Sequence, residues 1–107
     1  MYRIFRATGS SVLAETLAPG YPSQLVRIVS IRLHLSAGGG SETFTASVDS
    51  ATNAVYDGPL YSQSVSGATD FFTTRDYYVD GGDEIDFALT NGGSATWGLE
   101  VVWHPIG

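Results

Sequence analysis

The sequence predicts an all-β protein, a two-sheet antiparallel β-sandwich of jelly-roll character with about eight strands. Three observations predict it. Thirteen glycines, 12% aromatic residues and many serines and threonines suit pleated strands and tight turns better than helices. Apolar residues recur with a period of two, which a helix would not tolerate. Turn-forming clusters separate these runs at intervals of roughly 8–12 residues, the spacing of sandwiches and barrels.

The first candidate strand, Tyr2 to Ala7, sets Tyr2, Ile4 and Arg6 on one face and Arg3 and Phe5 on the other. With apolar residues on both faces, it reads either as an edge strand or as a strand lying between its own sandwich and a neighbouring subunit. Ser10 and Ser11 turn the chain into Val12 to Leu17, and Pro19-Gly20-Tyr21-Pro22 reads as a break. Leu25 to Ser36 is the clearest strand, with Val29, Ile31, Leu33 and Leu35 on one face and Ser30, Arg32 and His34 on the other. After the glycine-rich loop Ala37 to Ser41, Glu42 to Ser50 places Phe44, Ala46 and Val48 inward. It is expected to run antiparallel beside the previous strand.

Asn53 occupies a turn before Ala54 to Ser66, a segment interrupted by Asp57-Gly58-Pro59 and so read as two short strands or one kinked edge strand. Asp70 to Val79 is an aromatic strand with Phe71, Phe72, Tyr77 and Tyr78. A turn at Asp80-Gly81-Gly82-Asp83 leads to Glu84 to Thr90, whose core face is Ile85, Phe87 and Leu89. Asn91-Gly92-Gly93-Ser94 then reads as a hairpin signal before Ala95 to His104, where Trp97, Leu99, Val101 and Trp103 share one face.

The 107 residues fit one domain over 1–107. The absence of cysteine removes disulfides, thiolate metal sites and cysteine nucleophiles. A net charge of −6, with all five basic residues arginine and scattered along the chain, disfavours phosphate backbones and anionic lipid. No nucleic-acid or membrane partner is expected. The N-terminal stretch alternates in polarity, and no run approaches the ~20 apolar residues of a membrane span. A soluble protein that retains its N-terminus is expected.

No motif rises to an active site. Gly81-Gly82-Asp83-Glu84-Ile85 nearly spells the GGDEF signature of diguanylate cyclases, but the longer α/β context of that motif is missing, and a solvated turn is the better reading. Asp80, Asp83, Glu84 and Asp86 offer carboxylates to a calcium ion yet lack the spacing of a calcium loop. His34 and His104 stand outside any nucleophile or metal-binding motif. Paired carboxylates for glycoside hydrolysis are compatible with the sequence, though a chain this small has little left over to build a cleft. Trp97 and Trp103 are in phase with a core stripe. Tyr21, Tyr56, Tyr61, Tyr77 and Tyr78 could form a sugar-stacking platform or a partner surface, since tyrosine offers apolar area with one polar handle. The expectation is a non-enzyme with no catalytic, cofactor-binding or metal-ligating residues and no cofactor.

The ordered strings VRIVSIRLHLS, ETFTASVDSATNAVYDGPLYS, DGGDEIDFALTNGG and WGLEVVW resemble the small β-sandwich or jelly-roll virion proteins of tailed bacteriophages. Those proteins serve as capsid decoration proteins or as tail and fibre components. The likeness covers roughly Leu25 to Trp103. It implies a symmetric homo-oligomer located in the virion and docked on the major capsid protein or on tail subunits, with no catalytic residues to carry over. A complete, cysteine-free, unsignalled chain would suit assembly in a host cytoplasm. From a different class, a carbohydrate-binding sandwich module is the competing expectation, with a small jelly-roll enzyme behind it.

Overall fold

Two four-position antiparallel sheets face each other across a core of interleaved side chains. The computed structural model describes residues 1–106. Its nine strands are β1 (Arg3–Gly9), β2 (Leu13–Leu17), β3 (Tyr21–Leu35), β4 (Thr43–Asp49), β5 (Gly58–Ser64), β6 (Asp70–Thr73), β7 (Tyr77–Gly81), β8 (Glu84–Leu89) and β9 (Trp97–Pro105). One sheet runs β1-β9-β3-β6, with β7 pairing the other end of β3, and the second runs β2-β8-β4-β5. Because β6 and β7 fill one position between them, four positions face four. That order, with the chain crossing between sheets at most connections, is the double Greek key of a jelly roll.

The predicted stripes build this core. Phe44, Ala46, Ile85, Phe87, Leu89, Trp97, Leu99, Val101 and Trp103 are all buried, and Val48 packs against them. Phe87 is the centre, its ring stacked at 6.3 Å on Phe5 and at 6.4 Å on Phe44. At one end the Trp97 indole lies against Gly9, where a Cβ would stand 2.7 Å from the ring. Its Nε1 donates to the Ser11 carbonyl at 2.9 Å.

Several expectations need correction. The aromatic strand Asp70 to Val79 breaks at Thr74–Asp76 into β6 and β7, which raises the strand count from eight to nine. Pro19 to Pro22 does not end the chain's path into β3, because the strand already begins at Tyr21. The break survives as Gly20 at φ +77°, Ser23 at φ +60° and a register shift between Tyr21 and Leu25.

Val29 is not a core residue. It is the extra residue of a β-bulge, since Ile28 pairs with Trp103 and Ser30 with Val102. The buried stripe of β3 is therefore Val26, Ile28, then Ile31, Leu33 and Leu35, changing phase at the bulge. Glu42 to Ser50 does not pair with the preceding strand: β4 lies in the other sheet, reached through the Ala37–Ser41 loop. The turns at Asp80–Asp83 and Asn91–Ser94 are tight, but neither closes a hairpin, because each carries the chain from one sheet to the other. Ala54 to Ser66 resolves into a short 3₁₀ turn, Ala54–Tyr56, and the single edge strand β5. Edge position is what allows Pro59 there. β1 is likewise an edge strand, its half-buried face being Phe5 and Ala7 while Ile4 is exposed.

Candidate docking face

The two outer faces of the sandwich differ in kind. Outward positions of the β2-β8-β4-β5 sheet are small or acidic: Ala14, Thr16, Thr45, Ser47, Asp49, Glu84, Asp86 and Ala88, with no arginine. The β1-β9-β3-β6/β7 sheet presents Arg6, Arg27 and Arg32. It also carries Tyr2, Ile4, Leu25, Phe72 and Tyr78, five of the nine large hydrophobic residues exposed among the described residues. The exposed apolar side chains are thus gathered on one face, interspersed with its arginines.

Strand register arranges this face in rows. Thr8, Gly98, His34 and Asp70 form one row across β1, β9, β3 and β6. Arg6, Glu100, Arg32 and Phe72 form the next. Further along, His104, Arg27 and Tyr78 align, with the Tyr2 ring edge-on to His104 at 4.9 Å. The first row, with Arg6, Glu100 and Arg32 of the second, lines a shallow groove of about 600 Å³.

Charges on this face are paired within it. Glu100 accepts from Arg6 Nε at 2.7 Å and lies 3.2 Å from Arg32 Nη2. Arg27 holds Asp76 through Nη2 at 2.7 Å and Nε at 3.0 Å. His34 Nδ1 is 2.7 Å from Asp70, and this contact, with a second bond from Thr69, holds the Asp70 carboxyl below its ordinary pKa.

The acidic turn is dispersed rather than assembled. Asp80 Oδ1 accepts from the backbone N–H of Gly82 at 2.8 Å and of Ser23 at 3.3 Å, while Asp83 accepts from Ala51 at 3.1 Å. Asp86 takes the Thr16 hydroxyl at 2.7 Å on the opposite sheet, and Glu84 is exposed. Among the described residues no three metal-capable side chains converge. Asp80, Asp83 and Asp86 fasten turns and strands.

Of the tyrosines, Tyr21, Tyr61 and Tyr77 pack against the core, Tyr61 edge-on to Phe44 at 6.1 Å. Burial raises the Tyr61 pKa. Of the five candidates for a platform, Tyr56 and Tyr78 alone are exposed, one on the 3₁₀ turn and one on β7, so the five do not form one platform. His34 and His104, expected to be ordinary surface residues, both belong to the outer face described above.

Sequence reasoning missed Leu25, Phe72, Gly98 and Glu100 as members of one surface. The alternation was legible, since Gly98, Glu100, Val102 and His104 interleave with the buried stripe of β9. Which residues stand beside them across the sheet was not.

No protein-family model and no curated protein matches the chain. Solved structures do. The Drosophila NLP core, in a crystal structure described as giving insight into pentamer formation and histone binding, aligns with a TM-score of 0.56 and 13% identity over 95% of each chain. A structure of infectious bursal disease virus, Gx strain, aligns with a TM-score of 0.45 and 11% identity over 95% of this chain, which spans 32% of the viral one. The first of these likenesses shows a shared sandwich fold.

Proposed function

We propose that this chain is a non-enzymatic structural protein of a bacteriophage virion, a capsid decoration protein that docks on other virion subunits and works as an oligomer. The observation that carries the reading is the β1-β9-β3-β6/β7 outer face. It gathers arginine, tyrosine, phenylalanine and aliphatic side chains, the types enriched where proteins meet, and neutralises its own charges. A binding role also suits a chain in which Asp80 and Asp83 of the acidic turn are engaged in holding backbone. The pattern resemblance to phage virion proteins supplies the virion as the place of action, with the major capsid protein or tail subunits as partners.

Co-sedimentation tests this. The genes beside this one are expected to encode a major capsid protein, and the purified chain is expected to pellet with shells assembled from it. A Phe72→Ser variant should pellet less. A chain that ignores the shells and instead binds on a glycan array would replace this reading with the carbohydrate-binding one.

A further inference from the structure

Gly98 lies in the interior of β9, a strand paired on both sides, where glycine normally weakens a sheet. Nothing in the fold requires it. A Cβ built there meets nothing within 4 Å, and its φ is not in the left-handed region. At Gly9, Gly39 and Gly81, by contrast, a Cβ would stand 2.7, 2.3 and 2.4 Å from a neighbour. The effect of glycine at 98 is to leave the floor of the groove open between Thr8 and His34.

Resting on the reading of this face as a protein–protein surface, the geometry points to a second copy of this chain as its occupant, related by a two-fold axis that runs along the strands between β9 and β3. The paired form is then what docks on the shell, and loss of Phe72 weakens pelleting by weakening the pair. Such an axis reverses the order of each row on the second copy. Gly98 then receives the second copy's His34, a ring into a gap, and Thr8 meets the second copy's Asp70, a hydroxyl donor against a carboxylate. In the next row Glu100 faces the second copy's Arg32, and Arg6 faces the second copy's Phe72, a cation on a ring face. Further along, Tyr2 meets the second copy's Tyr78. In the same row His104 lies opposite the second copy's Arg27. Each contact occurs twice, as an isologous interface requires.

Charge selects this face over others. Two copies of net charge −6 repel wherever acid meets acid, as Asp49, Glu84 and Asp86 would on the opposite sheet. Here the ion pairs Arg6–Glu100–Arg32 and Arg27–Asp76, with Asp70 held against His34, leave no such excess, with Asp80 at the rim. The area suffices as well. Four strand positions by seven to nine residues span roughly 20 × 30 Å at ordinary strand spacings, which with side-chain relief approaches the ~800 Å² each partner gives to a stable interface. Sheets stacked this way lie with their strands nearly aligned, a packing that twisted sheets favour.

Light scattering on the size-separated protein tests the proposal. The wild-type chain is expected as a dimer or an even-numbered assembly. Gly98→Val should halve that mass while still unfolding cooperatively, with a melting temperature that no longer rises with protein concentration, because a β-branched side chain suits the strand and only the docking is lost. Thr45→Val on the opposite face should leave the mass unchanged. The cysteine-free background allows a second measurement. Thr8→Cys and Asp70→Cys lie three strand positions apart in one chain and cannot bridge within it. The double variant should form covalent dimers on oxidation, and neither single variant should. A monomeric wild type, a Gly98→Val protein of undiminished mass, or a double-cysteine variant that stays monomeric would overturn the two-fold pairing. A monomer that still pellets with shells would sink the pairing and leave the virion reading standing.

Discussion

Asn91 closes one end of the sandwich. Its side chain is buried, donating through Nδ2 to Ser11 O and Ala95 O, both at 2.8 Å, and accepting from Ala95 N–H at 3.0 Å. Its backbone sits at φ +56°, a conformation asparagine tolerates better than most residues. Asn91→Ala should cost about 2–3 kcal/mol in urea unfolding, because it leaves buried carbonyls without donors. Nearby, Glu42 accepts the Thr90 hydroxyl and the Gly92 N–H, in that order of effect, and both hold its pKa below the ordinary 4.5. A carboxylate depressed on folding contributes its stability above the ordinary value and loses it as pH falls through the depressed one. The stability gap between wild type and Glu42→Gln should therefore be full at neutral pH, and should close progressively as the pH drops below 4.5. Urea midpoints taken across that range would show it.

At the scale of the element, β3 is the instructive case. Read by strict alternation from Leu35 backwards, it puts Val29 in the core. The bulge instead transfers burial to Ile28 and Val26. A bulge adds one residue without adding a pairing, so every side chain before it changes face. The signal was present, since Ile28 and Ile31 stand three apart, but a run of alternating apolar residues offers two phases and the sequence does not say where one yields to the other. Deleting Val29 should restore regular pairing and turn Val26 and Ile28 outward. The loss is about 3–6 kcal/mol at the usual value of a buried aliphatic side chain, enough to erase a cooperative denaturant transition. The break between β6 and β7 follows the same logic: Phe71 is buried and Tyr77 half-buried on one face of a sheet whose continuity is lost at Thr74–Asp76.

For the whole molecule, stability is concentrated where the sheets meet. Phe87 bridges Phe5 on one sheet and Phe44 on its own, so Phe87→Ala should cost about 3–5 kcal/mol, measurable in denaturant as a lowered midpoint with an unchanged slope. The outer faces separate function from stability. One is acidic and built of small residues, while the other is apolar, arginine-bearing and neutral within itself. That asymmetry exists only after the sheets are assembled, because Phe72, Arg32, Glu100 and Arg6 come from four strands and are brought into one row by register alone.

The sequence by itself determined the all-β class, the turn positions, the core stripes of β4, β8 and β9 and the second half of the β3 stripe, because a period of two in apolar residues survives any arrangement of the strands. The glycine-rich acidic turn reads in the sequence as solvated, whereas Asp80 and Asp83 accept from backbone N–H groups of Gly82, Ser23 and Ala51. Only the tertiary structure decided which strand lies beside which. The short turns at Asp80–Asp83 and Asn91–Ser94 read locally as hairpins, and each leads instead to the opposite sheet. Local chemistry fixes how tightly a chain turns. Burial of both sheet faces against one core fixes where it goes next, and with that the surface left for a partner.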